Sequence, residues 1–477
     1  MPADRRSVAI IGGGYSGVAC AVHLSRAARE PIEITIAEPR PELGRGIAHS
    51  AKDPDHRLNA PTHIHCLYPD DMDHFTAWCA ANDIGKKDPD ALDGERLYAR
   101  RWDYGTYMGE QLAAHQEGNP SNSTIMHRQA AAVDIAKQGK GWRVSLDDGG
   151  RLAADAVILT TSNAPPSVPP PFRGEVEGHT AFFRDPWDVD ALGRIAAEAR
   201  ILIVGTGLTM ADVVTTLMRD GPARRITAVS RRGLLPARQR QEPPDETLYE
   251  ALTRKPPKFV TRHGKPDRLL DLFRALRGDI AALAEQGREW HIAFDDLRDA
   301  ASEVWPALPR PEQARFMRHL RPWYETHRFR LPPQNADAMD RGVREGRLEF
   351  RAADIVGARV SGNCLDVSLK PRRSTRVEDT LYDAVVNCTG PVNVASAGGN
   401  PLLHSLIQGG LAAANPFGLG LEVDDECRVQ GRDGSAAGTL YAVGPLTRGR
   451  FGESNGVPFI MMQAVAVGQR LAAQFAN

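Results

Sequence analysis

The sequence predicts an α/β fold made of two related strand–turn–helix–strand units, the second inserted into the first. Three observations carry this. An apolar run at 7–11 leads straight into Gly12, Gly14 and Gly17 and then into a helical pattern. A second apolar run at 201–204 leads into Gly205 and Gly207 in the same way. Two matching segments, Asp155-Ala156-Val157 and Asp383-Ala384-Val385, follow the two units at similar places. A pattern repeated this way implies duplication of one supersecondary unit. Each copy reads as Rossmann-like, because a glycine turn between a buried strand and a helix brings backbone N–H groups and a helix dipole to a pyrophosphate.

In the first unit Gly12 permits the tight turn, Gly14 lets the pyrophosphate approach the backbone, and Gly17 lets helix and strand pack closely. Tyr15 and Ser16 begin the helix and join the glycines as cofactor-binding candidates. The second strand, 32–37, ends on Glu38, placed to accept from ribose hydroxyls. A carboxylate there repels a 2′-phosphate, so this unit suits FAD or NAD. The loop 39–79 is too long for a simple linker and is expected to lie over the cofactor. Arg45, His49, Asn59 and His65 are its polar candidates, beside the plainer reading as turn and capping residues. Helices are expected over 70–84 and 98–116, a strand over 124–136, and a hairpin turning at 147–150. A buried strand follows at 155–162, and the proline-rich 163–172 reads as a crossing between domains.

In the second unit the third glycine position is Met210, with Leu208 and Thr209 opening the helix. Its second strand, 226–230, ends in Ser230, Arg231 and Arg232 where the first unit has Glu38. Arginine at that position pairs with a 2′-phosphate, so this unit is expected to take NADPH, with NADH possible. Helical patterns fill 245–347, with helices expected at 268–284, 311–321 and 337–345. Strand-like patterns return at 355–370 and 383–390, the latter ending on Gly390. A strand from 438 opens at Gly444 into a loop, and a helix over 458–475 completes the first unit. The expected division is 1–165 as the first part of an FAD domain and 173–390 as an inserted NADP domain with the helical insertion. Residues 391–477 form the C-terminal part of the FAD domain.

Composition narrows the functions. Hydrophobic residues make up 42% and charged residues 25% of the 477, ordinary for a soluble globular chain. A net charge of −1 gives no footprint for nucleic acid or an anionic membrane. Six scattered cysteines without a C-x-x-C pair argue against a disulfide framework, a zinc ribbon and a redox dithiol, and fit a cytoplasmic setting. No metal site is expected, since the His and Asp spacings match no ligand pattern. The His, Arg and Trp residues of 319–330 are a candidate wall for an anionic small molecule, with helix-to-helix ion pairing the plainer alternative.

The segments GGGYSG (12–17), GRGIAHS (44–50), HRLNAP (56–61), DDMDHFTAW (70–78), VGTGLTMAD (204–212), SRRGLLP (230–236), HLRPWYETHRFR (319–330), NCTGP (387–391) and YAVGPLTRG (441–449) give the chain a recognisable pattern. It resembles bacterial two-domain FAD/NAD(P)-binding flavoproteins. These look related to FAD-dependent urate hydroxylases and aspartate N-hydroxylases, and more distantly to Baeyer–Villiger and ornithine N-hydroxylating monooxygenases. The resemblance implies FAD contacts at Gly12, Gly14, Gly17, Glu38 and Asn59 and NADPH contacts at Gly205, Gly207 and Arg231. It also implies that the loop after 449 faces the flavin. There the sequence departs from the W-E-x-x-A-V-P-E pattern, reading Phe451-Gly452-Glu453-Ser454-Asn455 instead. The expected function is an NAD(P)H-consuming monooxygenase acting with O2, through a C4a-(hydro)peroxyflavin, on a small polar nitrogen compound. The alternative is a reductase or dehydrogenase with an organic or protein acceptor. Asn455 and Ser454 on the flavin-facing loop, with His327 and Arg330 as anion-orienting groups, are the catalytic candidates.

Overall fold

The computed structural model describes residues 5–161, 164–221, 223–392 and 400–476. Ser162 and Asn163, the end of one expected strand and the start of the expected crossing, lie outside them.

Two sheets organise the chain. The first has six strands in the order Arg428–Gln430, Ala436–Ala442, Ala156–Leu159, Ser7–Ile11, Glu33–Ala37 and Thr124–Arg128. All neighbours are parallel except the first pair. Such strands are covered on both faces, so their sequences are continuous aliphatic runs rather than alternating ones. Ile10 sits between Ile36 and Ile158 in register and is fully buried. The helices Tyr15–Ala27 and Val457–Phe475 pack together on one face. A methyl at Gly468 would lie 3.1 Å from the His23 and Leu24 backbone, which explains a glycine at that crossing. The chain end therefore contributes a strand and a helix to the unit that the N-terminus begins.

The second sheet has seven strands: Phe182–Phe183, Ala384–Asn387, Arg200–Val204, Arg225–Ser230, Leu348–Ser361, Cys364–Pro371 and Glu378–Tyr382. The first five run parallel, and the last two fold back antiparallel. The repeat extends to individual atoms. Gly12 and Gly205 have φ of 109° and 114° and donate to Ala37 and Val229 carbonyls at 2.9 and 2.8 Å. The repeated aspartates do the same work twice: Asp155 accepts from Ser7 N–H at 2.8 Å and Asp383 from Arg200 N–H at 2.7 Å. Each anchors the start of its sheet's central strand.

The sheets are joined by Ala164–Pro166 and Pro391–Val392, which pair antiparallel. Most element boundaries agree with the sequence within a few residues. The expected helix 70–84 is instead His74–Ala81 and Ile84–Lys87, broken where Asp83 takes φ 54°. The expected strand 124–136 is two strands, Thr124–Arg128 and Ala132–Gln138, in different sheets. The run 355–370 is a hairpin, Leu348–Ser361 and Cys364–Pro371, turning through Gly362. The helix expected over 311–321 is Arg310–Arg315 followed by a π turn, Phe316–Leu320.

Between 248 and 328 the chain forms a helical lobe around its own apolar cluster, which includes Phe259, Leu297, Val304 and Trp305, while the helix Pro333–Arg344 packs in the second unit's core. No helix of the described residues is long and apolar enough to cross a membrane.

Candidate active site

The glycine turn of the first unit is built by exclusion. A methyl at Gly12 would sit 2.7 Å from the Thr160 carbonyl oxygen, and one at Gly17 would sit 1.9 Å from the Gly12 carbonyl oxygen. Thr160 Oγ1 donates to the Ile11 and Gly12 carbonyls, at 2.9 and 2.8 Å, and fixes the turn. The helix then starts at Tyr15 with Gly14 as an extended cap that supplies no side chain, so the first N–H groups remain for an anion. Glu38 accepts from Gly13 N–H at 2.9 Å and from Arg40 Nε at 2.8 Å. Burial alone would lift its pKa, but Arg40 and the Gly13 amide hold it below the usual carboxylate range.

In the second unit a methyl at Gly205 would lie 2.3 Å from the Cys388 carbonyl oxygen. Met210 is fully buried in that unit's core at the third fingerprint position. Thr206 Oγ1 donates to the Leu234 carbonyl at 2.6 Å and lies 2.9 Å from Ser230 Oγ, which accepts from Gly233 N–H at 3.0 Å. Arg231 is exposed and Arg232 half-buried.

One cavity of about 1510 Å³ runs between the two units, and Gly205, Gly207, Leu208, Ser230, Arg231 and Arg232 lie outside its lining. Its first wall is the first unit: 14–16, 45–50 and 58–61. Its second wall includes Thr209, at the start of the second unit's helix, with Trp187 and Gly390. The third wall is the helical lobe and the segment before it, through 239–249, 295–296, 298–299 and 328–330, and 455–460 closes the space. Arg45 is fixed on this wall by Thr106 Oγ1 at 3.0 Å and the Trp102 carbonyl at 2.9 Å, with its guanidinium over the Trp102 ring. Asn59 Oδ1 accepts from Arg101 at 3.1 Å and its carbonyl from Gln239 at 2.7 Å, so its amide protons are left for a ligand. Burial pushes the pKa of His49 down to about 3 and of His65 to about 4, so both are neutral imidazoles at neutral pH. Gly444 lies outside the cavity lining; a methyl there would meet Ser16 Oγ at 2.7 Å, so this glycine lets the terminal loop approach the first helix.

The catalytic candidates divide. Asn455 lines the cavity. Ser454 is fully buried, and its hydroxyl has no partner among the described residues. His327 is corrected: its ring stacks on Phe294 at 4.9 Å and its Nδ1 contacts the Trp323 carbonyl at 2.7 Å, off the cavity lining. Arg330 reaches the wall but is 4% exposed and paired with Asp295 at 3.1 Å, so its charge braces the lobe rather than meeting an anion.

Sequence reasoning missed Arg328. It pairs with the buried Glu453 at 2.9 Å and so ties the lobe to the loop carrying Ser454 and Asn455. The available signal was helical spacing: Arg321, Glu325 and Arg328 share one face, and Arg321 and Glu325 do pair at 2.9 Å. Trp305 was also missed; its Nε1 donates to the Gly449 carbonyl at 2.9 Å at the other end of the same loop. A third omission is the link between the two units, where Arg101 pairs with the buried Asp212 at 2.8 Å and Asn335 donates to the same carboxylate at 3.2 Å. Burial raises the pKa of Asp212 above its ordinary value, against the pull of Arg101.

The residues present fit two dinucleotides. Each glycine turn leaves a bare helix start, and Thr161 Oγ1 and His49 Nδ1, from residues on the wall, find no protein partner. Burial pushes the thiols of Cys66, Cys79 and Cys427 up to about 12 and raises Cys20 and Cys388 as well, so these five stay protonated at neutral pH.

Residues 9–164 match a family model described as FAD-NAD(P)-binding. No curated protein sequence matches the chain. Among solved structures, the reduced form of ornithine hydroxylase from Pseudomonas aeruginosa is 16% identical with a TM-score of 0.65, over 99% of this chain and 100% of that one. L-lysine 6-monooxygenase from Pseudomonas syringae is 18% identical with a TM-score of 0.64 over the same shares. Lactococcus lactis thioredoxin reductase reaches 0.51 at 12% identity, over 99% of both chains. The fold is therefore the mixed α/β architecture of FAD/NAD(P)-binding flavoproteins, with two Rossmann-like units. At these identities the likeness is one of fold.

Proposed function

We propose that the chain is an FAD-dependent, NADPH-consuming monooxygenase that hydroxylates a small polar nitrogen compound using O2. The observation that carries this reading is the third wall. A reductase serving an external acceptor needs two nucleotide sites and an exit; a monooxygenase needs a chamber from which bulk water is shut out. Here the helical lobe and the loop 455–460 wall a cavity that Gly14 of the first turn and Thr209 of the second unit's helix both reach. The similarity over nearly the full length of two amine-hydroxylating enzymes supports the same reading as analogy.

In this reading residues 1–165 and 391–477 hold FAD and 173–390 hold NADPH, in a cytoplasmic enzyme. Bound FAD supplies the redox chemistry, accepting a hydride from NADPH and activating O2. The protein supplies position. Gly12, Gly14 and Gly17 set the pyrophosphate on the first helix, Glu38 accepts from the ribose, and Asn59 donates toward the flavin. Gly205, Gly207, Leu208 and Thr209 seat the second pyrophosphate, and Arg231 with Arg232 grips the 2′-phosphate. Asn455 faces the reacting end with Ser454 buried behind it, and the Arg328–Glu453 pair holds their loop. Kinship with urate hydroxylases and aspartate N-hydroxylases is part of the proposal, on the segments that carry the resemblance.

Two measurements test it. Oxygen uptake with product mass across a panel of amino acids, diamines and purines is expected to give a hydroxylated product. NADPH oxidation yielding only hydrogen peroxide across the panel would favour the reductase. Arg231→Ala is expected to raise the KM for NADPH about tenfold while leaving NADH unchanged, as for loss of a charge-assisted bond. Equal changes for both would dismiss the 2′-phosphate assignment.

A further inference from the structure

We infer that a second basic turn, 371–374, closes over the 2′-phosphate from the side opposite Arg231, with Arg372 as a specificity-determining residue for NADPH. The inference rests on the NADPH reading above and names a partner that the fingerprint does not contain. Its basis is register. Ser230, the last residue of its strand, pairs with Ala352 on the neighbouring strand. The Ala352 carbonyl accepts from Arg372 N–H at 2.8 Å. A methyl at Gly233, just past Arg232, would lie 3.0 Å from Ala352 Cβ. So the turn carrying Arg372 and the turn carrying Arg231 and Arg232 flank the same residue at the carboxyl edge of the sheet. One strand separates the two turns, so at about 4.8 Å per strand spacing they stand roughly 10 Å apart, a gap that arginine side chains reaching from both sides can close. Ligands of open α/β sheets bind along this edge.

Four arginines gather at this edge. Arg351, one residue away along the strand, is paired with Glu378 at 2.5 Å. The guanidinium groups of Arg231, Arg232, Arg372 and Arg373 have no ion-pair partner among the described residues. Of the nearby acids, Glu349 accepts from Thr227 at 2.8 Å and Asp379 from Ser368 at 2.5 Å, while Asp354, opposite Lys370 in register, is exposed. The turn is also held in an uncommon shape. Arg373 has φ 65°, a left-handed conformation that glycine adopts freely and arginine rarely does, while Ser374 N–H closes the turn on the Pro371 carbonyl at 3.0 Å. An arginine retained there keeps a cation at the edge at the expense of backbone comfort, a pattern associated with binding sites.

The test is calorimetric titration of the FAD-loaded chain with adenosine 2′,5′-bisphosphate and adenosine 5′-monophosphate, which differ only in the 2′-phosphate. Wild type is expected to prefer the bisphosphate by more than about tenfold, and Arg372→Gln to lose about tenfold of that preference with monophosphate binding unchanged. Arg372 is exposed, and circular dichroism will verify that the variant is folded. If Arg372→Gln keeps the wild-type preference while Arg231→Ala loses it, the second turn is overturned and the NADPH reading stands. If wild type shows no preference, both fall.

Discussion

Gly17→Ala is expected to yield a chain that no longer retains flavin. The added methyl would sit 1.9 Å from the Gly12 carbonyl oxygen and 3.1 Å from Thr160 Oγ1. Neither neighbour can move cheaply. The carbonyl belongs to the turn itself, and Thr160 holds that turn with two hydrogen bonds. Overpacking a tight site costs about 1–3 kcal/mol where side chains can shift, and here the obstacle is backbone. The helix must therefore back away from the turn, taking its N–H groups off the pyrophosphate. The ratio of flavin absorbance to protein absorbance after purification is expected to fall at least about tenfold. Gly109→Ala is the comparison, because its methyl would meet only the Leu43 carbonyl oxygen, at an ordinary 3.5 Å, away from the cavity. Full flavin occupancy in the Gly17 variant would show that this glycine is not what seats the cofactor.

Asp212→Ala is expected to be the most damaging change away from the nucleotide turns. It leaves Arg101, whose side chain is 11% exposed, facing an emptied pocket, and removes the acceptor of Asn335. Breaking one side of a buried pair costs about 3–5 kcal/mol, whereas replacing both members with apolar groups is often neutral. The double change Arg101→Met with Asp212→Leu is therefore expected to recover most of the lost stability in denaturant unfolding. Rates should separate the variants further. The pair joins the helix that carries Thr209 to the residue that positions Asn59, so anaerobic flavin reduction by NADPH is expected to stay slow in the double variant. If Asp212→Ala unfolds within about 0.5 kcal/mol of wild type, as surface substitutions do, the bridge holds nothing together.

The glycine turns were legible because their residues are neighbours in the chain and each has a steric reason to be there. The repeated Asp-Ala-Val segments were legible as strands, but not the aspartates' task of holding Ser7 and Arg200, which needs the sheet order. The site's third wall was only half legible. The segment 319–330 was singled out, yet its histidine packs inward and Arg330 meets Asp295, while Arg328 makes the link to the active loop. Composition drew attention to the segment, and helical phase decides which arginine faces the loop. Arg101 and Asp212 stand 111 residues apart, and Trp305 and Gly449 stand 144 apart. No local pattern announces such pairs.

The paired crossing of Ala164–Pro166 with Pro391–Val392 has an engineering consequence. The inserted segment leaves and rejoins its host through neighbouring junctions, so exchange with a sister enzyme's middle segment requires two adjacent splices and no rethreading of either sheet. Chimaeras cut there would carry hydride-donor preference and the helical-lobe wall of the chamber as one cassette, while the first wall and the closing loop 455–460 stay with the flavin carrier.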